Sequence, residues 1–144
     1  MFDAEAPRRT AVCIFADKEE IGSEGVSGML SAAFDKFMGE LCDAQGVALR
    51  DCFANSFCVS ADVTAAYDPN FADVYDKRNA AFINYGVGLC KYTGAGGKSG
   101  ASDASAEVVG KLRRLLNEEN VFWQMSELGK TDAGGGGTVA KFMA

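Results

Sequence analysis

Four short apolar runs, rich in β-branched and aromatic residues, punctuate the chain and predict strands. They occupy residues 10–16 (TAVCIFA), 56–60 (SFCVS), 85–92 (YGVGLCKY) and 121–125 (VFWQM). The first is almost continuously apolar, as expected of a strand that is buried on both faces of a parallel sheet.

Two of the segments between these runs have the apolar spacing of an α-helix. Residues 26–44 and 104–118 each return an apolar side chain to one face every three or four positions. The predicted inward faces carry Met29, Ala33, Phe37 and Leu41 in the first helix, and Val108, Leu112 and Leu115 or Leu116 in the second. Gly46 is predicted to end the first helix, and Ser102 or Asp103 to cap the second. Strands that alternate with helices predict an α/β sandwich around a mainly parallel sheet.

The composition indicates a globular chain of one domain's length. Its 144 residues are 48% hydrophobic and 24% charged. The net charge of −6 argues against a nucleic-acid partner, because phosphate binding requires a basic surface. No apolar run approaches the roughly 18 residues of a membrane span, and the first residues lack a signal-peptide pattern. We therefore expect a cytoplasmic protein without a membrane partner.

Five cysteines and no histidine narrow the possible chemistry. The cysteines form no CxxC pair and most lie within apolar stretches. They are predicted to be reduced thiols packed as small hydrophobic residues, with a cysteine metal site or nucleophile as the alternative. Without histidine, the usual serine or cysteine triads are excluded, as is any zinc site that this chain would complete with imidazole.

Acidic residues follow the first two predicted strands. In α/β sheets, ligands bind at the carboxyl ends of the strands. The first strand runs into Asp17, Glu19 and Glu20, and the second into Asp62. Because neighbouring glutamates leave the backbone in different directions, one can bind a metal while the other acts as a general base. The same pattern also fits an ordinary solvated turn, and the spacing leaves both interpretations open.

The identities of these residues indicate a particular protein family, which their spacing alone does not. The string DKEEIGSEG after the first apolar run resembles the EEIGS signature of the M18 aminopeptidase family. The string SADV after the second run resembles that family's second metal-ligand motif. Further strings, from DPNFADVYDKRN through SELGKTDAGGGGTVAKFMA, resemble bacterial members of the family almost continuously. Residues 1–144 are accordingly interpreted as a central, partial M18-type catalytic domain.

This resemblance implies a three-layer αβα sandwich of the zinc-peptidase kind, here incomplete. It also implies a hydrolase that uses two divalent metal ions, usually zinc, to remove amino-terminal residues from peptide substrates. By similarity, Glu19 is the general base, Glu20 a ligand of one metal and Asp62 a ligand of the other. Lys91, after the third predicted strand, corresponds to a lysine near the substrate; a solvated strand-end lysine is the alternative. The complete enzyme is expected to be a homo-oligomer.

The resemblance further implies metal ligands that the matched region lacks. The family's bridging aspartate and two histidines lie in segments before and after it, and Asp3 stands in no matching motif. No stretch corresponds to the family's oligomerisation insert. The chain alone is therefore expected to be an inactive fragment, and the alternative is a non-catalytic acidic α/β piece with a structural or interaction role. The glycines at 134–137 are interpreted as a substrate-pocket wall, a phosphate-binding loop or a flexible turn.

Overall fold

The computed structural model describes residues 8–93 and 102–130, together with Val139 and Met143. These residues fall into two compact units. The first ends at Ser56 and the second begins at Phe57. None of the described helices has the length and apolar character needed to cross a membrane. The glycines at 134–137 lie outside the described residues.

The first unit is helical in its regular structure. It contains a 3-10 turn and two α-helices, at Glu19–Ile21, Ala33–Asp43 (α1) and Leu49–Ala54 (α2). Gly46 ends the first helical segment as predicted: its φ of 66° is left-handed, and the Val47 N–H donates to the Cys42 carbonyl at 2.9 Å. The described apolar residues with the least exposure in this unit are Met29, Met38 and Cys42.

The second unit combines helix and sheet. After a 3-10 segment at Pro69–Val74, its elements are β1 (Val87–Leu89), β2 (Tyr92–Thr93), β3 (Ser102–Asp103), α3 (Ala106–Glu118) and β4 (Trp123–Met125). Strands β1 and β4 pair in parallel, with Gly88 opposite Gln124, whereas β2 and β3 are antiparallel. Parallel strands need a crossover connection, and α3 lies in the connection between β1 and β4. The α/β fold class is therefore confirmed.

Helix α3 lies where the periodicity predicted it, but its cap differs. The Ser105 hydroxyl accepts the Val108 N–H at 3.4 Å, so Ser105 caps the helix. The predicted caps, Ser102 and Asp103, were wrong because both residues pair in β3. On the predicted inward face, Val108, Leu112 and Leu116 are half-buried, whereas Leu115 is exposed.

Two predicted strands are not strands in the described part of the chain. Residues 10–16 and 56–60 take part in no β-ladder, and the Phe15 side chain is 94% exposed. A strand requires hydrogen bonds from a neighbouring backbone, and the described residues supply no such ladder to either run. Beside the first run, the pairing consists of a single parallel bridge between Asp17 and Gly28.

Helix α1 begins later than predicted and buries a different face. The preceding loop folds back on itself, because the Leu30 N–H donates to the Ser23 carbonyl at 3.0 Å. Phe37 was predicted to face inward but is exposed, whereas Met38 and Cys42 are buried. Helix α2 was not predicted, since its six residues are too few to show a clear period.

Candidate active site

A tight turn presents the two neighbouring glutamates. Lys18 precedes the 3-10 turn with φ of 58° and Gly22 follows it with φ of 96°, both left-handed. The Ser23 N–H donates to the Lys18 carbonyl at 2.7 Å and closes the loop. Because a 3-10 helix has about three residues per turn, successive side chains point roughly 120° apart. Glu19 is half-buried and Glu20 exposed, and their carboxylates leave the turn in different directions.

These two carboxylates have no part in the hydrogen bonds and ion pairs that join the described residues. Across residues 8–93 and 102–130, neither Glu19 nor Glu20 has a side-chain hydrogen bond or an ion pair. The adjacent Asp17 differs, because its carboxylate is occupied by two partners. The loop therefore carries one acid, Asp17, that is held by side-chain partners, and two, Glu19 and Glu20, that have no partner among the described residues.

Asp17, Lys18 and Ser27 form a polar cluster directly before the glutamates. Lys18 Nζ lies 2.5 Å from Asp17 Oδ2 and 2.7 Å from Ser27 Oγ, and the Ser27 hydroxyl donates to Asp17 Oδ2 at 2.5 Å. The hydrogen bond from Lys18, followed by that from Ser27, holds the pKa of Asp17 below its ordinary value. Sequence reasoning missed Ser27, because ten residues separate it from Asp17 and no local pattern indicates the contact.

A close backbone approach fixes the other side of this loop. Ser23 is buried, with φ of 59°, and its carbonyl faces Gly28. A Cβ atom built on Gly28 would lie 2.1 Å from the Ser23 carbonyl oxygen, a distance that no side chain tolerates. Glycine at position 28 is thus required for the fold of the loop that carries the glutamates. The EEIGS string contains Ser23 but gives no signal for Gly28.

Asp62 belongs to the second unit and lies in a segment without regular secondary structure. Its side chain is exposed, and its Oδ1 accepts the neighbouring Val63 N–H at 2.7 Å. Two residues later, Thr64 contacts strand β1, since a Cβ atom on Gly88 would lie 3.1 Å from Thr64 Cγ2. The Asp62 carboxylate thus keeps one oxygen free of partners among the described residues.

Lys91 follows β1 in the same unit. Its Nζ lies 3.9 Å from Asp103 Oδ1 of β3, and both side chains are more than half exposed. The Lys91 carbonyl accepts the Ala104 N–H at 2.8 Å, so the backbone is fixed while the ammonium remains in solvent. A surface ion pair at this distance contributes little stability. The lysine is therefore available to a ligand.

The carboxylates of Glu20 and Asp62 are suitable zinc ligands, but two ligands are too few for a zinc site. Zinc binds aspartate and glutamate oxygens and usually takes four ligands. The chain has no histidine. Across the ranges that the structure describes, no three or more histidine, cysteine, aspartate or glutamate side chains are grouped to hold a metal ion. These residues alone therefore do not complete a zinc site.

Comparison with known proteins identifies the family. The family model described as aminopeptidase I zinc metalloprotease (M18) matches residues 3–144. The chain belongs to the M18 peptidase family. A probable M18 family aminopeptidase 1 from Borreliella burgdorferi (strain ZS7) is 46% identical over 151 residues, covering 100% of this chain and 33% of the relative. The resemblance inferred from the EEIGS and SADV strings is thereby confirmed.

Solved M18 structures agree in fold. The crystal structure of the M18 aminopeptidase from Thermotoga maritima superposes with a TM-score of 0.77 at 46% identity, over 90% of this chain and 30% of that one. Aminopeptidase I from Clostridium acetobutylicum gives a TM-score of 0.75 at 46% identity, over 89% and 28% of the two chains. The chain spans about a third of the length of the curated M18 relatives that it matches.

Proposed function

We propose that this chain is the central segment of the catalytic domain of an M18-type aminopeptidase, which removes amino-terminal residues from peptides. The observation that carries the proposal is the turn at Glu19–Ile21, which holds two adjacent carboxylates free of partners among the described residues. The turn lies within the string that matches the family's signature. Family membership over residues 3–144 supports the same reaction class.

The two glutamates take different roles in this proposal. Glu19 is the general base, which accepts a proton from the water that attacks the scissile carbonyl and later returns it to the leaving amine. Glu20, one position further around the turn, would hold a metal ion. The cluster of Asp17, Lys18 and Ser27 positions both glutamates by fixing the backbone before them.

Asp62 and Lys91 complete the contribution of this chain. Asp62 is proposed to hold a second divalent ion, and Lys91 to meet the substrate's carboxylate or the developing oxyanion. The family description names zinc, and bound divalent ions would polarise the carbonyl and acidify the attacking water. Glu20 and Asp62 alone are too few ligands for two zinc ions, and the chain has no histidine. We therefore propose that the 144-residue chain alone is inactive.

A chimera tests the function directly. Residues 3–144 would replace the matching segment of the Thermotoga maritima aminopeptidase, and release of amino-terminal residues from short peptides would be measured with and without a chelator. We expect chelator-sensitive hydrolysis. Glu19→Gln should lower kcat by about 10²–10⁴-fold with zinc content retained, because a general base is lost while the ligands remain.

The matched controls separate the roles of the acids. Glu20→Ala and Asp62→Ala should lower zinc content, measured by mass spectrometry of the metal, with activity falling in parallel. Glu24→Gln, in the same loop, and Asp73→Asn, in the same unit as Asp62, should change neither quantity. Full activity of the Glu19→Gln chimera would show that another residue is the base.

Zinc binding by the isolated chain tests whether its metal site is incomplete. Calorimetric titration of the 144-residue chain with zinc should reveal only weak binding, because two carboxylates without imidazole make a poor zinc site. Tight binding of two zinc ions would contradict this expectation and point to cysteine ligands. The complete enzyme is proposed to be a cytoplasmic homo-oligomer, and size-exclusion chromatography of the chimera tests the oligomeric state.

A further inference from the structure

Charged residues of both strands follow the parallel pair of β1 and β4. Leu89 and Met125 are the last paired residues, and the Ser126 N–H donates to the Leu89 carbonyl at 3.1 Å, which extends the pairing beyond β4. Lys91 and Glu127 each come two residues after the last pair, so both lie at the carboxyl end of the strands. Ligands of α/β sheets bind at this end. Glu127 is therefore placed where a ligand of the second unit is expected.

Glu127 differs from the other acidic residues of the second unit. Among those that the structure describes, Asp68 and Glu127 are half-buried and the rest are exposed. The Asp68 carboxylate accepts the Asn70 N–H at 2.8 Å, whereas the Glu127 carboxylate has no hydrogen bond or ion pair with the described residues. A carboxylate that is partly removed from water without a partner costs free energy, which a bound cation would offset. Glu127 is therefore suited to bind a positively charged ligand.

The backbone around Glu127 is fixed, although its carboxylate is unpaired among the described residues. The Glu127 N–H donates to the Asn79 carbonyl at 2.8 Å. Ser126, the preceding residue, is 2% exposed, and a Cβ atom built on Gly88 would lie 2.8 Å from its Oγ, so β1 passes directly against it. Because the main chain is already held, the carboxylate can bind a ligand with little further ordering of the backbone.

Lys91 pairs with a different acid. Its Nζ lies 3.9 Å from Asp103 Oδ1, and across residues 8–93 and 102–130 no ion pair joins it to Glu127. Since paired strands lie about 4.8 Å apart, long side chains from the ends of β1 and β4 can reach one small ligand. The two strand ends therefore offer a ligand opposite charges, a cation from Lys91 and an anion from Glu127.

We propose that Glu127 is a further substrate-binding residue, whose carboxylate binds the ammonium group of the substrate's amino-terminal residue. The inference rests on the proposed aminopeptidase function, because every substrate of such an enzyme carries a free amino terminus. Lys91 would meet a negative group of the same peptide, so the two charges together orient it. Two sources supply an ammonium group. The α-amino group is present in all substrates, whereas the side chain of an amino-terminal lysine is present only in some.

Peptide binding by the chimera tests the proposal separately from hydrolysis. Leucylglycylglycine and lysylglycylglycine are titrated into the chimera in the presence of a chelator, which prevents turnover, and Kd is measured by NMR. Glu127→Gln removes the charge and keeps the shape of the side chain. We expect Kd for both peptides to rise about ten-fold or more, as for a lost hydrogen bond to a charged group. With metal restored, KM should rise by a similar factor and kcat should change little, because the contact is made equally in the ground state and the transition state.

The two peptides and a matched variant decide the outcome. Equal rises in Kd assign the α-ammonium, and a rise for lysylglycylglycine alone assigns the lysine side chain. Glu119→Gln, at an exposed acid of the same unit, should leave Kd unchanged. In urea unfolding of the 144-residue chain, Glu127→Gln should not lower stability, because the carboxylate has no partner to lose among the described residues.

Unchanged Kd for both peptides in Glu127→Gln would overturn the proposal. Equal rises in Glu127→Gln and Glu119→Gln would also overturn it, since they would show a general effect of the chain's charge. If the metal-loaded chimera is inactive while Kd rises as expected, the proposed reaction fails and the ammonium site stands.

Discussion

The Lys18 ammonium lies 2.5 Å from the Asp17 carboxylate, in the two residues directly before Glu19. Ser27 joins both groups, with its Oγ 2.7 Å from Lys18 Nζ and 2.5 Å from Asp17 Oδ2. The contact ties the loop at Ser27 to the base of the turn that presents the glutamates.

Replacing Lys18 should raise the pKa of Asp17. In Lys18→Met the largest cause of the lowered value is lost, so the carboxyl should titrate at higher pH, measured by carbon-detected NMR. A carboxyl with a depressed folded pKa stabilises the fold above its unfolded pKa, and this contribution is lost as pH falls through the folded value. Lys18→Met should therefore weaken the acid dependence of stability. Lys36→Met, at an exposed lysine of α1, is the control; equal Asp17 titration in both variants would contradict the assignment.

Alanine at Gly86 should be strongly destabilising. Gly86 has φ of 94°, and a Cβ atom there would lie 2.2 Å from the Phe122 carbonyl oxygen, which also accepts the Val87 N–H at 2.9 Å. The substitution must displace β4 from β1, at a cost of at least about 2 kcal/mol in urea unfolding. Gly110→Ala is the matched control, since its Cβ meets open space in α3 and should stabilise by about 0.5–1 kcal/mol. Equal losses in the two variants would contradict the close approach.

The sequence predicted the second unit better than the first, for a physical reason. Helix α3 and strand β4 follow from local patterns that their own residues express, a helical period and a run of aromatic and polar residues. The runs at 10–16 and 56–60 have strand composition, but a strand exists only with a partner, and composition carries no information on partners. The same limit applies to the site. Glu19 and Glu20 were predicted from their position, whereas Ser27 and Gly28 act through contacts that no period reveals.

Removing the Ser126 hydroxyl should stabilise the chain. Ser126 is 2% exposed, and its Oγ has no hydrogen-bond partner among the described residues. A buried hydroxyl without a partner costs about 1–3 kcal/mol, so Ser126→Ala should recover part of this in urea unfolding. The same substitution at Ser105, which caps α3, should cost about 1 kcal/mol instead. A loss of stability in both variants would indicate that Ser126 binds a partner in solution, such as a water molecule.

Variants of Lys91 and Asp103 test whether Lys91 contacts the substrate. Comparing them separates a direct contact of the lysine from an effect through its ion pair with Asp103. In the chimera, Lys91→Met removes the ammonium, whereas Asp103→Asn removes only its partner at 3.9 Å. If the ammonium meets the substrate, Lys91→Met should lower kcat/KM by about ten- to a hundred-fold, equivalent to the roughly 1.5–3 kcal/mol of a hydrogen bond to a charged group. Asp103→Asn should leave kcat/KM nearly unchanged, since the exposed pair contributes little. Unchanged kcat/KM in Lys91→Met would instead identify a solvated strand-end lysine, and equal losses in both variants would show that Lys91 acts through Asp103.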